Sequence, residues 1–201
     1  VDALRQYVRF PSVSADQSFA DGVSGAREFA CSRLKELGFE VDLIPTPIHP
    51  IILATRGDPS WPRLVIYGHY DVQPPDPLDL WTTDPFDAVE RDGRLYGRGA
   101  ADNKGPQIVH MSALARVFRD NPDYPLHITY LIEGEEEIGS PHLAEFVKTH
   151  HDLLKADVIL ISDTAMISMD TPSIDIGVRG LSYIEIEVTG PNRDLHSGVY
   201  G

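Results

Sequence analysis

Three short apolar runs, each ending in acidic or histidine-bearing residues, constrain this chain more than any other feature. Leu64–Tyr67 leads into Gly68-His69-Tyr70-Asp71, His127–Ile132 into Glu133-Gly134-Glu135-Glu136-Glu137, and Val158–Ile161 into Ser162-Asp163. Unbroken apolar strands suit a sheet covered on both faces by helices. Candidate helices lie between the runs, over Lys104–Arg119 and from Pro141 to about His151. This alternation predicts an α/β domain, a doubly wound and mostly parallel sheet with helices on both faces. In open sheets of that class ligands bind beyond the carboxyl ends of the strands. His69, the glutamates and Asp163 are therefore expected along one edge, joined by Asp102 at the start of the helix that follows Asn103.

The remaining pattern is local. Asp2–Arg9 reads as a short helix stopped by Pro11, and Val23, Ala26, Phe29, Ala30, Leu34 and Leu37 recur at helical spacing before a capping Gly38. Strands are expected over Phe39–Ile44 and Ile51–Thr55, and Asp92-Gly93 between Val89-Glu90 and Leu95-Tyr96 reads as a hairpin turn. After about Ile176 the pattern changes. Ile184, Ile186 and Val188 alternate with Glu185 and Glu187, the period of a strand with one wet face. A boundary near Gly177 follows, with residues 1–176 forming the first domain and 177–201 the opening of a second, α+β one.

Composition narrows the partners. The 201 residues carry 31 acidic against 17 basic side chains, a formal net charge of −14, which argues against nucleic acid and against anionic membrane surfaces. No apolar run approaches the ~20 residues of a membrane span. Cys31 is the single cysteine, so neither an internal disulfide nor a thiolate zinc site is available, and a reducing, cytoplasmic setting fits. No secretory leader pattern is visible. The chain begins at Val1 rather than Met, as a processed or trimmed start would leave it.

Crowded carboxylates repel, and burial forces protons onto them unless a cation offsets the charge. Imidazole and carboxylate donors suit Zn²⁺, Mn²⁺ or Co²⁺, and a carboxylate bridging two ions about 3.5–4 Å apart is the usual device of two-metal hydrolases. His69 and Asp71, two apart in an extended segment, leave on the same side, so one can bind metal while the other orients it. Of two adjacent glutamates, one can hold a cation while the other stays free as general base. Blander readings exist for each residue. His69 could be a hydrogen-bonded core histidine, and the glutamate run the solvated first turn of a helix. Asp102 could be a plain N-cap, and Asp163 an ordinary strand end. The flanking Gly134 and Gly139-Ser140 favour a constrained loop over the solvated turn. Gly97-Arg98-Gly99 lacks the spacing of either nucleotide fingerprint, and Ser140 and Ser197 lack a nucleophile-elbow context.

These residues resemble a known family. Gly68-His69-Tyr70-Asp71-Val72-Gln73-Pro74, Gly97 to Gly105, Glu133 to Ser140, Ile161-Ser162-Asp163 and Asp194 to Gly201 stand in the order found in the co-catalytic two-zinc metallopeptidases. Tyr70, Trp81, Pro85-Phe86 and Asp92 to Tyr96 are most similar to the carnosinase and cytosolic nonspecific dipeptidase branch, whereas the aminoacylase-like deacylases usually carry Thr at the Tyr70 position. The resemblance implies hydrolysis of small peptides with two divalent ions, Zn or Mn, with Co a further option. His69, Asp102 and Asp163 would hold one ion, and Asp102 would bridge to a second that Glu137 also binds. Glu136 would be the general base, Asp71 would orient His69, and Asp102–Asn103 would be a cis peptide. His196 would sit in a lid domain, reach the partner subunit of a homodimer and stabilise the oxyanion; without its flanking motif it reads as a surface histidine. The family usually shows a non-acidic residue at the Glu135 position, so the glutamate register stays open. It also needs a later histidine for the second ion. The chain is thus expected to be the front portion of a longer protein, with the isolated piece holding at most the first ion well and showing little or no peptidase activity. The alternatives are an N-acyl amino acid deacylase and a non-catalytic binding member of the same fold.

Overall fold

In the computed structural model, which describes residues 1–177 and 179–199, two compact units are found, Val1–Thr164 and Ala165–Gly201. The first unit holds every helix and ladder-forming strand among the described residues. Its central sheet has five strands, β1 (Glu40–Ile44), β2 (Ile51–Arg56), β3 (Arg63–His69), β6 (His127–Glu133) and β7 (Val158–Ile161), in the order β1-β2-β6-β3-β7. A separate ribbon pairs β4 (Val89–Arg91) with β5 (Arg94–Tyr96). β3 runs parallel to both β6 and β7, while β2 is antiparallel to β1 and β6. Four of the five strands therefore share one direction, and the fold is α/β with a mostly parallel sheet.

Period-two alternation sorts the side chains to two faces. Ile52, Ala54, Ile66, Ile128, Tyr130 and Ile132 form one core with α1 (Asp2–Val8), α2 (Ala20–Glu36) and α3 (Lys104–Asp120). Ile51, Leu53 and Leu131 pack on the other face against Leu143 and Phe146 of α4 (Leu143–Thr149). Helices thus cover both faces, which is why β6 reads as a continuous apolar run. α2 ends at a left-handed Gly38 (φ 81°), and the β4–β5 turn has positive φ at both Asp92 (51°) and Gly93 (71°), the signature of a type I′ hairpin.

Two expectations are corrected. Asp102 is not the cap of α3; that position is Asn103, which makes no side-chain capping bond. Residues 181–189 form no ladder among the described residues and lie exposed. Alternating polarity marks a segment able to pair, but a strand exists only where a second edge accepts its backbone hydrogen bonds. The second unit's only recorded pairing among the described residues is an isolated bridge between Ser168 and Thr171.

Candidate metal centre

Parallel register sets the site. His69 ends β3 directly opposite Glu133 at the end of β6, and β7 stops at Ile161, two residues before Asp163. Three strand ends therefore release their loops on one edge. The fourth element is the loop before α3, where the Asp102–Asn103 peptide is cis, as the resemblance implies. Close packing holds that loop to β3. A Cβ on Gly68 would come within 2.8 Å of Asn103 Oδ1 and 3.2 Å of the Gln107 side chain, so a larger residue would push both side chains aside.

His69 Nε2 lies 2.9 Å from Asp102 Oδ1, 3.4 Å from Asp163 Oδ2 and 3.9 Å from Glu136 Oε2. Two donor groups share this imidazole: His69 with Asp102 and Asp163, and His69 with Glu136 and Glu137, the donor atoms of each group lying within 4.8 Å of one another. The His69 side chain is fully buried, whereas those of Asp102, Glu136 and Asp163 are 60%, 37% and 27% exposed, so the imidazole forms the floor and the carboxylates the rim of an open site. On the far side of the ring, Nδ1 lies 3.1 Å from the Asp71 carbonyl oxygen and 3.3 Å from its Oδ1. A proton held there lets Nε2 offer its lone pair at the rim to a cation that displaces the Nε2 proton.

The electrostatics point the same way. Burial opposes charge on His69, but hydrogen bonds with Asp102, Asp163 and Asp71 outweigh it, and its pKa is pushed up to about 12. Burial raises Glu136, and neighbouring Glu137, Asp102 and Asp163 add to the rise. Burial likewise raises Glu137, against a hydrogen bond from Gln73. The hydrogen bond with His69 holds Asp163 below the ordinary carboxylate range. No Lys or Arg among the described residues pairs with Asp102, Glu136, Glu137 or Asp163. Convergent carboxylates around one imidazole, with no Lys or Arg to neutralise them, fit a divalent cation taking the place of the proton they otherwise hold on His69.

The other candidates part ways. Asp71 is buried; its Oδ2 accepts from Ser14 Oγ at 2.6 Å and from the Glu137 backbone N–H at 3.1 Å, tying the His69 segment to the glutamate turn. Glu137 accepts from Gln73 through both carboxylate oxygens. Glu133 faces inward, accepting from the Tyr67 and Ser140 hydroxyls at 2.6 and 2.8 Å. Glu135 turns to Thr46, His49 and His142 instead of the rim. There burial opposes its ionisation, yet the hydrogen bonds carry its pKa below the usual value. His196 belongs to the second unit, where it is exposed and its Nδ1 accepts from the Gly198 N–H at 3.0 Å.

Sequence reasoning missed the segment from Ser12 to Ser14. Val13 bridges Val72 in parallel, Ser12 Oγ donates to the Tyr70 carbonyl at 2.6 Å, and Ser14 anchors Asp71. Two hydroxyls two residues apart after Pro11 were the available signal, since such a pair leaves one side of an extended strand. Lys104 was missed as well. It is fully buried, donating to the carbonyls of Tyr7 and Phe10 at 3.2 and 2.7 Å and so mooring the start of α3 beside the end of α1.

Known proteins resemble this chain in sequence and fold. The model of Peptidase family M20/M25/M40 matches residues 65–194. The Cys-Gly metallodipeptidase dug1 of Schizosaccharomyces pombe is 38% identical over 215 residues, covering 100% of this chain and 45% of its own length. The human Beta-Ala-His dipeptidase is 46% identical over 158 residues, covering 77% of this chain and 31% of its own. Among solved structures, human carnosine dipeptidase 1 superposes with a TM-score of 0.75 at 38% identity, covering 83% of this chain and 38% of that one. The Sulfolobus solfataricus metallo-carboxypeptidase Sso-CP2 gives 0.73 at 33% identity over 81% and 36%. This chain spans less than half the length of these relatives. A family match over most of the chain, with a fold and donor set to suit, establishes that it belongs to Peptidase family M20/M25/M40.

Proposed function

We propose that this chain carries the metal-holding half of a dipeptidase that hydrolyses small peptides with two divalent ions. The observation that carries the reading is the pair of carboxylate groups sharing His69, with no Lys or Arg paired to them among the described residues. The names of the relatives, a Cys-Gly metallodipeptidase at 38% and a Beta-Ala-His dipeptidase at 46% identity, support the substrate class.

His69, Asp102 and Asp163 would hold the first ion, and Asp102 with Glu137 would serve the second, as Zn²⁺ or Mn²⁺, with Co²⁺ compatible with the same donors. Bound divalent cations supply Lewis-acid polarisation of the scissile carbonyl and lower the pKa of water at the site. Glu136 takes a proton from the attacking water and delivers it to the amine nitrogen as the peptide C–N bond breaks. Its carboxylate suits this duty because, among the described residues, it makes no side-chain hydrogen bond that would have to be given up first. Asp71 keeps the His69 proton on Nδ1 and so keeps Nε2 free as a donor to the ion.

On the same reading residues 1–176 belong to the catalytic domain and 177–201 open a lid that closes a homodimer. His196 then helps bind the oxyanion in the partner subunit's site. The support for this part is the motif Asp194-Leu195-His196-Ser197-Gly198 alone. A cytoplasmic setting rests on the single, buried Cys31; no helix among the described residues is long and apolar enough to cross a membrane.

The test is steady-state hydrolysis by the full-length protein of Cys-Gly, β-Ala-His and a panel of N-acetyl amino acids, with Zn²⁺ or Mn²⁺ and after chelation. Dipeptide turnover that chelation abolishes and metal restores is expected. Turnover confined to N-acetyl amino acids would move the protein to the deacylases, and no turnover of either class would contradict the reading.

A further inference from the structure

The glutamate run has three members, and the proposed chemistry uses two. Glu135 is the odd one: its side chain is only 3% exposed, and both of its oxygens are engaged by the protein itself. Oε1 accepts from Thr46 Oγ1 at 2.6 Å and from the His49 backbone N–H at 2.9 Å, and Oε2 lies 2.6 Å from His142 Nδ1. Its backbone carbonyl accepts from the N–H groups of Ile138 and Ser140, closing the turn over Glu136–Ile138. The residue that shapes this turn is therefore also fastened to two distant places, the 45–50 loop between β1 and β2 and the approach to α4.

That loop is itself held against the other half of the metal centre. The Tyr70 hydroxyl donates to the Pro50 carbonyl at 2.7 Å, and His49 Nε2 lies 3.4 Å from the carbonyl of Ser14, whose hydroxyl anchors Asp71. The 45–50 loop thus links the His69–Asp71 segment to the glutamate turn. Glu136 has no side-chain hydrogen bond of its own among the described residues, so its aim depends on the backbone that carries it.

We infer that Glu135 is a positioning residue: its anchorage to Thr46, His49 and His142 sets the orientation of the turn from which Glu136 reaches the reacting atoms. The inference rests on Glu136 acting as the base. A side chain that aims a catalytic group, rather than one that merely stabilises the fold, affects turnover more than substrate binding.

The experiment uses the full-length, metal-loaded protein with a dipeptide that the wild type hydrolyses. In Glu135→Ala, kcat falls about 10- to 100-fold while KM stays within about twofold and metal content is unchanged. Glu135→Gln keeps the oxygen that accepts from Thr46 and His49 and retains kcat within about threefold of wild type. Should the alanine variant fail to fold, Thr46→Val removes one anchor at nearly constant volume and lowers kcat about two- to fivefold at unchanged KM. An alanine variant, folded and metal-loaded, with wild-type kcat would overturn the inference. So would a glutamine variant as impaired as alanine, a loss explained entirely by missing metal, or, where Thr46→Val stands in, a wild-type kcat. If the wild type turns over no dipeptide, the functional reading falls first and takes the inference with it.

Discussion

Glu133 and Glu135 on one side, and Asp102, Glu136 and Asp163 on the other, are the same functional group treated in opposite ways within one edge of the sheet. The first two point into the protein and are met by hydroxyls, a backbone amide and an imidazole. The other three point to the open rim, where their common protein neighbour is His69 Nε2. A carboxylate satisfied by protein donors needs nothing more. Carboxylates that mainly face one another and a single imidazole are tolerable only if something positive joins them. Whether the protein supplies the donors thus separates a structural acid from a candidate base between the consecutive residues Glu135 and Glu136, while Glu137, steadied by Gln73, still belongs to a donor group with His69.

The comparison is broken most severely on the rim. Glu136→Gln removes the proton acceptor but keeps the shape, and turnover should fall about 10²- to 10⁴-fold with metal content intact; parallel kinetics and metal analysis of the full-length variant check this. Loss of metal together with activity would instead exchange the roles of the glutamates, and activity retained without metal would overturn the assignment. A middle effect is expected behind the imidazole. Ser14→Ala leaves the buried Asp71 Oδ2 with the Glu137 amide as its remaining donor. Metal affinity, read by competition with a chromogenic chelator, should weaken about 10-fold, the low end for partners of this kind. The smallest effect belongs to the inward pair. Tyr67→Phe removes one of the two hydroxyls that satisfy Glu133. It should cost about 1–3 kcal/mol of stability in denaturant titration, with metal affinity unchanged. A change in metal affinity there would blur the division between the two sets.

Much of this was legible because it is local or follows from topology. The apolar runs before His69, Glu133 and Asp163 locate β3, β6 and β7, and the rule that ligands gather at strand ends brings their acids together without coordinates. What stayed hidden depends on a partner far away in sequence. Nothing near Glu135 announces Thr46 or His49, so its inward turn was indistinguishable from the outward turn of Glu136. Ser14 acquires its role only because Val13 pairs with Val72. An aspartate just ahead of a helix reads as a cap, but α3 begins at Lys104 as expected and Asn103, not Asp102, holds the cap position. The alternation in 181–189 was visible, while the neighbour it needs is missing among the described residues.

The central claim is that a divalent cation binds where these carboxylates meet His69. Crystals of the full-length protein grown with Zn²⁺, with anomalous scattering recorded on either side of the zinc edge, test it most directly. The account predicts a zinc peak about 2.0–2.1 Å from His69 Nε2 and about 2.0–2.2 Å from oxygens of Asp102 and Asp163. Full zinc loading in solution with no peak at His69, or with a peak bound by other residues, would contradict it.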